Sequence, residues 1–204
     1  MRRKSNRWMI DREQETAEAG RLAWHAARLG QDDATALSRA GFVLARVVGE
    51  LDTGAALIDR ALLLNPNLAF AWVFSGITKS LLGEPDIAIV HFARATRLNP
   101  LGPYLVHSQM GTAFAHFLAG RYDEACWWTK KALEHHPNFG AALRLLAASS
   151  ALGGRLEEAQ KAMRHAVRLD PTLRVSALKD VYPFRRQKDF ANLIEGLRKA
   201  GLPE

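Results

Sequence analysis

Apolar positions along the chain fall into runs of about ten residues, separated by short polar breaks that carry glycine or proline. The breaks are regularly spaced. Pro66, Pro100, Pro137 and Pro171 each close an apolar-rich helical run, at intervals of 34, 37 and 34 residues. Gly49, Gly83, Gly120 and Gly154 keep the same intervals, as do Gly54, Ala88, Ala125 and Ala159, and Ala61, Ala95, Ala132 and Ala166. Four series stepping together define an internal repeat.

Each period predicts two helices. The first ends near its glycine, where the missing Cβ permits positive φ. The second stops before its proline, because the residue ahead of proline is pushed out of the helical region. Small residues two turns apart on the second helix let two backbones approach closely. The chain is therefore expected to be all-α, a solenoid of helical hairpins.

The segment 69–102 carries Trp72, Gly76, Ala88, Phe92 and Pro100 at fixed spacing, with Ser75 and Lys79 between them. Leu143, Leu146, Ala147, Ala159, Met163 and Ala166 repeat the pattern, as do Gln109, Thr112, Ala113, His116, Ala125, Thr129 and Ala132. Leu37, Ala40, Gly41, Leu44, Gly54, Ile58 and Ala61 form a further copy, with one extra residue before Gly49. This arrangement resembles the tetratricopeptide repeat (TPR) family. The resemblance implies a right-handed α-α superhelix with a C-terminal capping helix. It divides the chain into a basic N-terminus and half repeat (1–34), repeats at 35–68, 69–102, 103–139 and 140–173, and a linker with capping helix (174–204). The blocks GAALIDRALLLNPNLAFAW, GTAFAHFLAGRYDEA and EGLRKAGLPE are also similar to the TPR tail of bacterial class III adenylate/guanylate cyclases and of winged-helix regulators. No segment here suits the paired metal-binding aspartates of a cyclase domain, so that likeness implies a regulatory scaffold and no catalytic residue.

The 37-residue step leaves three extra residues between Pro100 and Gly120, and LGPYLV, with Gly102 and Pro103, is their natural place. A tolerated insertion is the plainer reading; a projecting contact loop is the other. At the front, Ala19, Ala23 and Ala26 stand at second-helix spacing without a first helix ahead of them. Either Trp8, Met9 and Ile10 fold back as a cap, or the half repeat leaves an apolar face open to a homodimer or to a missing upstream segment. At the back, Tyr182, Pro183 and Phe184 are expected to lead the chain across the last repeat, and Asp189 to start a helix striped by Phe190, Leu193, Ile194 and Leu197, ended by Gly201 and Pro203.

Composition narrows the function. Twenty-eight Lys and Arg against 21 Asp and Glu give a net charge of +7, and apolar residues make up 48%. The basic groups at Arg2, Arg3, Lys4 and Arg7 and at Arg185, Arg186 and Lys188 lack interleaved aromatic platforms, which points away from nucleic acid. The most apolar stretches, such as LAFAWVFSGI, are about ten residues long, half of what a membrane span needs. A single cysteine, Cys126, fits a reducing, cytoplasmic setting. It reads as a small filler between Ala125 and Trp127.

Neither an enzyme nor a cofactor or metal site is expected. His135 and His136 occupy slots held by Leu, Asn and Asp in the other copies, and His107 and His116 have no further ligand at metal spacing. Gly153-Gly154 is an inter-helix turn.

What remains is a groove. The TPR resemblance implies that first helices line a concave surface, and the helical frame points Phe70, Val73, Phe74, Ile77, Leu81, His107, Met110, Phe114, Phe117, Arg144, Ala148 and Leu152 toward it. Chaperone-binding members of the family use Lys, Asn and Arg to grip a carboxylate where this chain has Val73, Ile77 and Phe114. An apolar protein or peptide segment is therefore the expected partner. The chain reads as a non-catalytic interaction scaffold; the alternative is a detached regulatory or dimerisation segment of a cyclase or winged-helix regulator.

Overall fold

A computed structural model describes residues 11–178 and 182–204. Among the described residues there are ten α-helices and no strand. They are α1 (Arg12–Leu29), α2 (Ala34–Val43), α3 (Leu51–Leu64), α4 (Ala69–Leu82), α5 (Pro85–Leu98), α6 (Leu105–Leu118), α7 (Tyr122–His135), α8 (Gly140–Leu152), α9 (Leu156–Leu169) and α10 (Gln187–Lys199). The expectations for Trp8, Met9, Ile10 and the basic group Arg2, Arg3, Lys4 and Arg7 lie outside the described residues.

Local chemistry sets the boundaries. Asp33 caps α2 by accepting hydrogen bonds from the Thr35 and Ala36 amides at 2.7 and 3.1 Å, and Pro85 opens α5. Gly49, Gly83, Gly120 and Gly154 all turn the chain between paired helices with φ between 75° and 92°. A side chain would be strained there, which explains the series.

Within the hairpins, small residues set the separation. A Cβ on Gly41 of α2 would lie 2.6 Å from the carbonyl oxygen of Gly54 on α3. The fully buried Phe92 of α5 fills the space left by Gly76 and Gly111, and a Cβ on Gly76 would meet its ring at 2.7 Å. Burying one such ring contributes about 1.5–3 kcal/mol.

The extra residue of the first hairpin lies in a π-helical turn, Leu44–Val48, between α2 and Gly49. One wider turn absorbs the insertion, so Leu44 and Ala45 stay fully buried and the hairpin closes as the others do. The longer connection falls at residues 99–104, between α5 and α6.

Two details differ from the sequence expectation. On α1 the buried residues are Gly20, Ala23 and Ala27; Ala19 is only half-buried and Ala26 is exposed. Ala23 and Ala27 pack on Leu37 and Ala40 of α2 and on Leu44, which follows it. The face bearing Ala19 and Ala26 is where a first helix would lie in a complete hairpin, and no described residue buries it. The last helix begins at Gln187 rather than Asp189. Asp189 sits in its first turn, 2% exposed, with its carboxylate accepting from Arg186 Nε at 2.8 Å.

Successive first helices pack directly on one another, α2 on α4, α4 on α6 and α6 on α8, while successive second helices meet only marginally. The array therefore curves with its first helices inside. The chain then returns. After a short 3-10 turn (Val175–Ala177), residues 182–186 run back as far as α3, and α10 packs against α8.

Candidate functional site: the inner face of the first helices

The returning segment divides the inner face. Tyr182 stacks on Phe114 of α6 with ring centroids 5.7 Å apart, and Phe184 approaches the same ring at 5.8 Å. Both also pack, as Ile77 does, against the buried cluster of Ala45, Leu51, Ala55, Leu81 and Leu82. The Arg185 amide donates to the carbonyl of Leu81 at 3.0 Å, and its guanidinium pairs with Asp52 at the start of α3. The Arg186 guanidinium lies over Gly83, where any Cβ would collide with it. Residues 182–186 thus form a strap over the C-terminal ends of the first helices.

Helix α10 occupies the next stretch. Gly196 lies against Ala148 of α8 so closely that a Cβ would fall 2.8 Å from the Ala148 carbonyl oxygen. Ala148 is fully buried, and Leu152 packs half-buried against the same cluster.

The twelve residues assigned to the groove therefore separate into three groups. Val73 and Phe117 are core, at 1% and 3% exposure: Val73 packs with Ala88 and Phe92, and Phe117 with Tyr122. Ile77, Leu81, Met110, Phe114, Ala148 and Leu152 join the clusters that include the strap or α10. Phe70, Phe74, His107 and Arg144 remain on the N-terminal halves of α4, α6 and α8; His107 is exposed and the other three half-buried.

Around Phe70 and Phe74 the structure assembles an aromatic patch larger than the sequence suggested. Phe42 of α2 stacks on Phe74 at 4.3 Å with rings 15° from parallel. Phe70 meets Phe74 edge-on at 5.7 Å. Tyr104, from the extended 99–104 connection, approaches Phe70 at 6.2 Å, Phe74 at 6.3 Å and His107 at 5.9 Å. The Arg39 guanidinium lies 5.3 Å above the Phe70 ring, a cation–π contact. These rings stack in favourable geometries yet stay only half-buried.

Phe42 and Tyr104 escaped the sequence reading for definite reasons. Counting across the extra residue, Phe42 occupies the slot of Ile77, Phe114 and Ala148, and a frame corrected for that residue would have found it. Tyr104 lies in the insertion, outside any repeat register.

Away from the patch, several titratable groups are tied into packing and hydrogen bonds. The His91 ring accepts or donates a 2.9 Å hydrogen bond with Ser75 Oγ and packs edge-on to Trp72. Burial holds its pKa below the ordinary value, as it does for His116, where Arg121 adds to the effect. Cys126 is buried, but with polar neighbours: Arg155 Nη2 donates to its Sγ at 3.1 Å, and Ser150 Oγ lies 3.4 Å away while bonded to Glu158. Among the described residues, no three His, Cys, Asp or Glu side chains converge as metal ligands, and no helix is long and apolar enough to cross a membrane.

Neither a protein-family model nor a curated protein sequence matches the chain. Solved structures do. The type IV pilus biogenesis factor PilW superposes over 93% of this chain and 84% of its own, with a TM-score of 0.72 and 18% identity. A MamA structure matches over 80% of this chain and 99% of its own, at TM-score 0.62 and 26% identity. YrrB, a TPR protein with an unusual peptide-binding site, matches over 87% and 90%, at TM-score 0.57 and 20% identity. These likenesses establish the fold, a tetratricopeptide-type α-α superhelix.

Proposed function

We propose that this chain is a non-catalytic scaffold that captures a protein segment on the open, N-terminal halves of its first helices. The observation that carries the reading is the patch of Phe42, Phe70, Phe74 and Tyr104, held in stacked geometry on three neighbouring elements yet left half-exposed. Rings ordered in this way lose little further entropy when a partner covers them. Phe70, Phe74 and His107 are the groove residues that bear on the partner, with Arg144 at the far edge. Two supports come from beyond the patch. The strap shows an extended, aromatic segment lying against this face, and YrrB is a fold neighbour with a peptide-binding site. A cytoplasmic setting suits the lone Cys126.

The test is capture from the source lysate with the wild-type chain and with Phe74→Ala. A partner retained by the wild type and lost by the variant, at equal helicity, supports the reading. Capture indifferent to Phe74 overturns it.

One observation favours a second role, as a regulatory or dimerisation segment. Helix α1 leaves Leu22, Ala26 and Leu29 exposed on one face, with Leu22 at 51% and Leu29 at 72%. A homodimer would cover this stripe, and light scattering would report it as a doubled mass that Leu22→Glu abolishes. A monomer at tens of micromolar would remove this reading.

A further inference from the structure

On the groove reading, the charges along the same helices give the chemistry of the occupant. None of the first helices carries an aspartate or glutamate. Over Ala34–Val48, Ala69–Leu82, Leu105–Leu118 and Gly140–Leu152, the charged or basic groups are Arg39, Arg46, Lys79, His107, His116 and Arg144. Every second helix does carry carboxylates, Asp59 of α3, Asp86 of α5, Glu124 of α7 and Glu158 of α9 among them. Asp86, Glu124 and Glu158 stand in first turns, where the helix dipole favours an acid, yet the first turns of α2, α4, α6 and α8 carry none, so the inner helices lack carboxylates even where the dipole would favour them.

Several carboxylates at the ends of these helices and on the returning C-terminal segment are already engaged. Asp33 caps α2, Asp52 pairs with Arg185, Glu84 pairs with Lys79 at 3.2 Å, and Asp189 pairs with Arg186. Two cations on the open strip have no carboxylate beside them among the described residues. Arg39 is exposed over Phe70, and Arg144 is half-buried with its guanidinium beside Gly140.

We infer that the occupant of the open strip is an extended acidic protein segment, with aromatic or large aliphatic anchors flanked by aspartate or glutamate. The anchors seat among Phe42, Phe70, Phe74 and Tyr104, and the flanking carboxylates meet Arg39 at one edge and Arg144 at the other. From α2 to α8 is three interhelical steps, roughly 25–30 Å at 8–10 Å per step. An extended segment covers that in about eight or nine residues. Apolar contact supplies most of the affinity, while charge complementarity fixes register and speeds encounter. A basic segment would meet an inner face that offers it no counter-charge.

The test is a selection of random twelve-residue peptides displayed on phage against the full chain. The expected winners combine an aromatic or leucine with net negative charge. They should lose at least about tenfold in affinity to Arg39→Glu/Arg144→Glu, and about threefold to Arg39→Gln, which changes one exposed side chain and keeps the fold. Neutral or basic winners that still require Phe74 overturn the acidic assignment and leave the groove reading standing. Winners indifferent to Phe74→Ala, or no winners at all, overturn both. A twelve-nucleotide oligothymidylate that competes with the selected peptides at the same strip, with steeply salt-dependent binding, also overturns the assignment to a protein segment.

Discussion

The backbone amide of Arg185 donates to the carbonyl of Leu81 at 3.0 Å, joining residues more than a hundred positions apart. That carbonyl is one of the unpaired acceptors at the end of α4. The chain's own last segment satisfies it, and with it closes the lower half of the inner face. The strap is thereby part of the fold, and only the upper half remains for a partner.

Removing the strap's aromatic contact should loosen it without dissolving the array. Phe184→Ala is expected to cost about 1–3 kcal/mol, below the cost of emptying a fully enclosed core site. Hydrogen exchange at the Arg185 amide should accelerate more than exchange within α5 or α7. Equal acceleration everywhere would mean that the strap is not a separable unit.

The close approach of α2 and α3 gives a sharper packing prediction. Gly41→Ala places a methyl group 2.6 Å from the Gly54 carbonyl oxygen, so the helices must part, at about 1–3 kcal/mol. Ala88→Leu, at a fully buried site between α4 and α5, should cost a similar amount, about 1–3 kcal/mol. Unchanged melting temperatures in both variants would contradict the packing described for these hairpins.

Two ion pairs of the C-terminal segment separate by environment. Asp189 is 2% exposed and pairs with Arg186, whereas Arg198 and Glu204 pair in solvent. Arg186→Ala leaves a buried carboxylate without its cation and should cost about 2–4 kcal/mol in urea unfolding. Arg198→Ala should leave stability nearly unchanged, because solvent screens the exposed pair. Equal costs would show that the burial of Asp189 does not matter.

His91 sets a pH dependence. Burial lowers its folded-state pKa below the ordinary 6.5, so between the two values the unfolded chain binds the extra proton. Stability therefore falls as pH drops below about 6.5, and the loss levels off below the folded pKa. His116 acts in the same direction. His91→Gln should flatten the stability curve between pH 6.5 and 5 in denaturant titrations; an unchanged slope would remove His91 as a contributor.

Some of this organisation could be read from residues alone, and the rest could not, for physical reasons. The four hairpin glycines were legible because a left-handed turn tolerates almost nothing else, and all four adopt it. Phe70 and Phe74 were legible from helical frame. Phe42 was hidden by the single residue that the Leu44–Val48 turn absorbs. That Tyr182, Pro183 and Phe184 lead the chain back was legible, but only as far as the last repeat; the segment carries no periodicity, and the contacts of Tyr182, Arg185 and its guanidinium with Phe114, Leu81 and Asp52 span most of the chain. On α1, spacing located the helix, but Ala26 needed a neighbour to be buried, and spacing alone does not supply one.

The central claim is that a partner seats on the open upper half of the inner face while the lower half belongs to the strap. Calorimetric titration of one selected peptide into Phe74→Ala and Phe114→Ala tests it most directly. Phe74→Ala should weaken binding by about 2 kcal/mol, as loss of an aromatic anchor does, with helicity retained and a melting temperature lowered only by the loss of its stacking on Phe42. Phe114→Ala should lower the melting temperature and leave affinity within about threefold, since its ring faces Tyr182 and Phe184. Binding abolished by Phe114→Ala and untouched by Phe74→Ala would contradict it.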